Sequence, residues 1–122
     1  MREILLALVL VAILSITGAA SALSWIQLLV AGFALVIAGH VIGIPAGVVY
    51  HVKLRRAARA KGGLPRGWIW RPMSLHDRLD APDRRRILPW FYVGAAGFAL
   101  IVLGFVLLGT GMLLGIMRAR AR

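Results

Sequence analysis

Three histidines and four carboxylates are the acid–base groups of this 122-residue chain, which has no cysteine. Disulfides, thiolate metal sites and cysteine nucleophiles are therefore excluded, and the redox compartment is left open. His40 is the one strongly polar ionisable group well inside an apolar stretch. An ionisable residue in such a place is a functional-site hypothesis by default. His51 follows eleven residues later, about 20° around and roughly 16 Å along an α-helix, so both imidazoles share a face. That is the arrangement of a helix offering axial nitrogen ligands to haem or a chlorophyll-type pigment. A bis-histidine site needs opposing imidazoles, and the remaining histidine, His76, lies in a basic stretch. Any such site would be shared with a partner or singly ligated. The structural alternative is a neutral imidazole bonded to a backbone carbonyl near Pro45, whose ring frees the carbonyl of Val41. That alternative is the expectation here, with no cofactor bound.

The carboxylates belong to Glu3, Asp77, Asp80 and Asp83. His76 and Asp77 beside Arg78 have the residue types of an acid–base pair. Neighbours on a short helix do not converge on a substrate, however, and no nucleophile stands nearby. They read as capping and ion-pair residues. The chain has no glycine-rich phosphate loop, metal-ligand cluster or hydrolase elbow, and no enzymatic activity is expected.

Glycine spacing carries a different chemistry, that of close helix contact. Gly32 is followed by Gly39, Gly43 and Gly47, the last three at steps of four, which drift only about 40° per step and make a flat ridge. Further along, Gly97, Gly104 and Gly111 recur at heptad spacing and Gly115 follows. Ala12, Ser15, Ala19 and Ala22 offer a similar stripe near the N-terminus. Small residues at such spacings drive helix packing where lipid removes the hydrophobic force. The contact is either with a partner subunit or within the chain's own bundle. Gln27, Ser15, Thr17 and Thr110 are candidates for hydrogen bonds between helices.

The net charge is +11, and eleven of the fifteen basic residues fall between Lys53 and Arg86. Arg55, Arg56, Arg59, Arg84, Arg85 and Arg86 are the densest part. Trp68 and Trp70 sit between these clusters, and tryptophan is favoured at membrane interfaces. Attraction to anionic lipid headgroups follows from the charge. Docking to another subunit suits the Arg and Trp content as well. Nucleic-acid binding lacks any recognised module and is not expected.

These residues need elements to position them, and the hydropathy pattern supplies candidates. Mean hydropathy is +0.86 and 61% of residues are hydrophobic, well above the roughly 45–50% of ordinary soluble domains. Three blocks contain no Asp, Glu, Lys or Arg: Ile4–Leu23, about Trp25–Tyr50 and about Ile87–Met117. Each supplies the roughly 20 apolar residues that a spanning helix needs. Backbone groups in lipid must bond internally, so α-helices are expected rather than the shorter, alternating strands of a barrel.

The fold class is therefore all-α. It is a single integral membrane domain with three transmembrane helices and a basic, partly structured loop, residues 51–86, between the second and third. The first block also reads as a signal peptide ending near Ala20-Ser21-Ala22; an uncleaved helix, tightly hairpinned to the second around Ser24, is expected. The second helix should run on to about Lys61, about 16 Å beyond the membrane surface, and stop at Gly62-Gly63. Ser74 with Asp77 suggests a capping box, and Asp80 with Pro82 a further short turn. Pro89 then falls near the start of the third helix, where its missing N–H costs little. The third block, at about 46 Å if straight, exceeds a hydrocarbon core of about 30 Å. It should tilt, overrun the membrane, or turn back at Gly109-Thr110-Gly111.

Lysine- and arginine-rich loops stay in the cytoplasm. Residues 51–86 and the N-terminus are therefore expected inside and the C-terminus outside, in a bacterial inner membrane, although Arg118, Arg120 and Arg122 oppose this. The functional expectation is a non-catalytic accessory subunit of a larger energy-transducing or transport assembly. It would act through glycine-mediated packing and a basic cytoplasmic clamp, with membrane lipids and other membrane subunits as partners. Two alternatives stay open: a cofactor-carrying anchor subunit ligating haem or pigment through His40 or His51, and a self-assembling, holin-like membrane oligomer.

Overall fold

The computed structural model describes Gly18 and residues 22–121. The expected first helix, with Ala12, Ser15, Thr17 and Ala19, therefore lies outside the described residues apart from Gly18 and the stretch from Ala22. Two long helices dominate the rest: α1, Trp25–Ala60, and α2, Ala81–Arg120. Between them lie two 310 helices, Trp68–Trp70 and Pro72–Arg78. No strand occurs among the described residues. Both α1 and α2 are long and apolar enough to cross a membrane.

The ends of α1 are set locally. Ser24 and Gln27 form a reciprocal pair: the Ser24 N–H donates to Gln27 Oε1 at 2.8 Å, and the Gln27 N–H donates to Ser24 Oγ at 3.3 Å. This capping box satisfies two otherwise orphaned donors and starts the helix at Trp25. Gln27 is thus engaged within its own first turn rather than across helices. Thr110 likewise donates to the Val106 carbonyl of its own helix at 2.9 Å. At the other end, Gly62 and Gly63 take φ of 109° and 99°, and the Gly63 N–H reaches the Ala58 carbonyl at 3.2 Å. Left-handed glycines closing this long bond are a standard way to stop a helix.

The third block begins earlier than its hydropathy suggests. Asp80 accepts the first helical bond, from the Arg84 N–H at 2.9 Å, and Ala81–Arg86 join the helix instead of forming a separate turn. Pro82 therefore occupies the first turn, where its missing N–H is harmless. Pro89 is interior and removes the helical bond to the Arg85 carbonyl. The helix then runs unbroken through Gly109-Thr110-Gly111 to Arg120. Ser74 is not a cap either. Its hydroxyl donates to the Arg71 carbonyl at 2.7 Å, because Pro72, with its preset φ, already opens that 310 helix.

Val36–Val102 forms one compact unit, and the described residues up to Leu35 and from Leu103 belong to a second. In the Val36–Val102 unit the residues of α1 meet those of α2 in descending order, so the two segments run antiparallel. Gly39 faces Gly97 and Ile101, Gly43 faces Gly97, and Gly47 faces Gly94. A Cβ at Gly97 would lie 2.5 Å from the Gly43 Cα, and one at Gly39 would lie 2.6 Å from the Gly97 carbonyl oxygen. The backbones touch, which only glycine permits. Beyond this contact a small core forms from Tyr50, Leu54 and Ala58 of α1, Leu75 and Leu79 of the connector, and Ile87 of α2. The four-residue steps of Tyr50, Leu54 and Ala58 put those three on one face of α1.

In the second unit the antiparallel order recurs. A Cβ at Gly32 would meet the Gly104 carbonyl oxygen at 2.8 Å, and one at Gly111 would meet the Trp25 carbonyl oxygen at 3.0 Å. Gly115 faces the Trp25 ring.

Candidate functional site

The groups with chemical potential gather where α1 leaves its apolar stretch and α2 enters its own. Tyr50 is buried, and its hydroxyl lies 2.6 Å from Nε2 of His76. The His76 ring stands edge-on to Phe91, centroids 5.3 Å apart, and edge-on to Tyr50 at 5.9 Å. Desolvation pushes the His76 pKa below its ordinary 6.5, and the Arg84 guanidinium lowers it further against the opposing pull of Asp77. With its proton on Nδ1, the neutral ring accepts a hydrogen bond from the tyrosine hydroxyl at Nε2. Arg84 also donates from Nη2 to the His76 carbonyl at 3.1 Å, stitching the start of α2 to the last turn of the connector.

His76 therefore faces an aromatic cluster and not Asp77, which is exposed. The two do not form an acid–base pair. Among the described residues no group of three or more His, Asp or Glu side chains gathers as metal ligands would.

His40 and His51 both turn Nδ1 back on their own helix. His40 Nδ1 lies 2.7 Å from the Val36 carbonyl, and His51 Nδ1 lies 2.9 Å from the Gly47 carbonyl. A carbonyl only accepts, so each Nδ1 carries a proton and donates it, and in the neutral form of the ring the lone pair is on Nε2. The bond from His40 goes to the carbonyl four residues back, not to Val41, the carbonyl that Pro45 frees. His40 is exposed, whereas His51 is half-buried between Tyr50 and Trp68.

The two tryptophans diverge. Trp68 packs against the core, while Trp70 is 88% exposed, beside the exposed Ile69 and Met73. Arg55, Arg56, Arg59, Arg85 and Arg86 are all exposed, as is Arg84 despite its internal bond. Lys53 places its ammonium 5.2 Å from the Trp90 ring centre, a cation–π contact. Lys61 is paired with both Asp80 and Asp83, the latter at 2.7 Å.

Of the glycines read from the sequence, Gly32, Gly39, Gly43, Gly97, Gly104, Gly111 and Gly115 lie at contacts between α1 and α2 residues. A Cβ at Gly47 or Gly109 would meet nothing within 4 Å. Sequence reasoning missed Gly94, which stands three residues before Gly97 and off the heptad spacing, and it missed the joint roles of Tyr50, His76 and Phe91. Tyr50 and His76 are separated by 26 residues, and nothing local marks them as partners.

Within the Val36–Val102 unit, antiparallel segments of two long apolar helices lead into a small core under exposed arginines. Comparison with protein-family models, curated proteins and solved structures finds no match.

Proposed function

We propose that the chain is a multi-pass membrane protein serving as a non-catalytic accessory subunit of a larger membrane assembly, with its polar head at the cytoplasmic surface. One observation carries the membrane reading. Val30, Phe33, Ile37, Val41, Ile44 and Val48 recur at helical spacing along α1, and each is 58–67% exposed. Phe98, Phe105 and Met112 on α2 are exposed to a similar degree. Leaving one such side chain in water forgoes about 1.5–3 kcal/mol of burial free energy. Contiguous patches of this kind mark membrane or subunit contact.

The accessory role rests on how the small residues are used. Most of the glycine ridge joins α1 to α2 of the same chain, so a further subunit would meet the aliphatic and aromatic outer faces. The polar head would fix orientation through its outward-facing arginines and the exposed Ile69, Trp70 and Met73. Aromatic and arginine anchors are what subunit contacts favour.

A second reading is favoured by the histidines. A backbone bond at Nδ1 leaves Nε2 as the lone-pair nitrogen, the tautomer that ligates haem iron or a pigment metal. His40, exposed on its helix, could ligate only at a contact with another subunit. A visible absorption band in the purified assembly, lost in His40→Ala, is the expected mark of that role.

Tagged chain purified in mild detergent and analysed by mass spectrometry tests the leading reading. It should bring down larger, unrelated membrane proteins in fixed ratio. A stable monomer would refute the accessory role, and so would an assembly of this chain alone, the holin-like outcome.

A further inference from the structure

Lys53, Arg56, Ala57 and Ala60 follow steps of three and four along α1, as Asp83, Arg86 and Ile87 do along α2, so each set shares a helix face. The two faces flank an open cleft of about 400 Å³. Its floor is apolar at the buried Ile87, and the half-buried Ala57 and exposed Ala60 line it with only small side chains. Its rim carries Lys53, Arg56 and Arg86. Asp83 also lines it, but that carboxylate is held by Lys61, which lies outside the cleft. Neither of the ion pairs found among the described residues involves a rim cation.

Chain direction orients the cleft. Residue numbers rise along α1 away from its apolar stretch and rise along α2 towards its own. Lys53, over the Trp90 ring, therefore marks the end nearest the apolar helices, and Ala60 with Asp83 marks the far end.

We propose that this cleft is a specific site for the phosphate of an anionic phospholipid headgroup. Arg56 and Arg86 flank the phosphate, and Lys53 stands at the lipid-facing edge. Arginine suits this task because its planar fork binds phosphate oxygens in pairs. The apolar floor takes the glycerol carbons, and the position beside the apolar helices lets acyl chains stay in the bilayer. Basic pockets between spanning helices on the cytoplasmic side bind such headgroups. The proposal rests on the membrane reading above but is separable from the general attraction of a basic head to an anionic surface.

The full chain in mild detergent, titrated with phosphatidylglycerol or phosphatidylcholine and followed by native mass spectrometry, tests it. One phosphatidylglycerol per chain should be retained. The R56Q/R86Q pair should weaken it by about tenfold or more, whereas R55Q/R59Q should weaken it by less than about twofold. The second pair removes the same charge roughly 130° around α1. Ala60→Phe fills the cleft without altering charge and should also weaken retention about tenfold, which tests the site independently of the arginines. Equal losses in the two arginine pairs would overturn the site while leaving surface attraction intact. Equal retention of phosphatidylcholine would overturn it too. Displacement by about 10 mM inorganic phosphate would replace the lipid with a soluble phosphate ligand. A chain that stays dispersed without detergent would remove the membrane reading itself.

Discussion

The Tyr50 hydroxyl and the His76 Nε2 lie 2.6 Å apart, joining the end of the apolar part of α1 to the last 310 turn of the connector. Tyr50 is 3% exposed, so its hydroxyl has little water to fall back on. Tyr50→Phe should keep the ring contacts and lose the bond, costing about 1 kcal/mol in unfolding of the detergent-solubilised protein. Tyr50→Ala should cost about 3–5 kcal/mol, because it also empties the core. Equal effects of the two substitutions would show that the ring alone matters.

The same pair makes the head sensitive to acid. His76 has a lowered pKa in the folded chain, so the unfolded state takes up its proton first. The contribution of neutral His76 is then complete above the ordinary value of 6.5 and is lost as pH falls from there through the depressed folded value. Melting temperature should drop as pH falls below about 6.5 by a margin that His76→Gln reduces. Arg84→Gln should lift the folded pKa towards 6.5 and shrink the drop, since Arg84 helps to depress it. A wild-type curve that coincides with the His76→Gln curve would contradict this.

Glycine contacts should separate sharply by position. An alanine methyl at Gly97 would press on the Gly43 backbone, and one at Gly39 would press on the Gly97 carbonyl. Each should cost about 1–3 kcal/mol, since backbone cannot rotate away. Alanine at Gly47 or Gly109 meets nothing within 4 Å. It should be neutral or stabilise by up to about 1 kcal/mol through helix propensity. Thermal unfolding in detergent ranks the four variants, and a loss at Gly109 equal to that at Gly97 would contradict the contact scheme.

Orientation is testable because the chain has no native cysteine. Arg59→Cys and Arg84→Cys place single thiols on the polar head. In intact cells a membrane-impermeant maleimide should leave both unlabelled until the membrane is opened, as a cytoplasmic head requires. Labelling from outside would reverse the topology.

Much of the architecture was legible because it is local. Uninterrupted apolar runs marked α1 and α2, and Gly62-Gly63 marked the end of α1 to within a residue of the expected Lys61. The start of α2 was misplaced because hydropathy reports where lipid suits a helix, not where a helix begins. Ala81–Arg86 are polar yet helical, capped at Asp80 and opened by Pro82. Ser74 was misread for a related reason, since Pro72 had already started that turn.

What composition and spacing determined alone is that two long apolar helices flank a basic connector, and that one face of each is smooth enough for another backbone. Periodicity defines a face without saying what meets it. Only the tertiary structure decided that Gly39 and Gly43 meet Gly97, that Tyr50 finds His76, and that Lys53, Arg56 and Arg86 share one cleft. Those pairings depend on how the antiparallel segments slide past each other. Their register is set by backbone contact at the glycines and by side-chain packing in the head, which no local stretch of residues encodes.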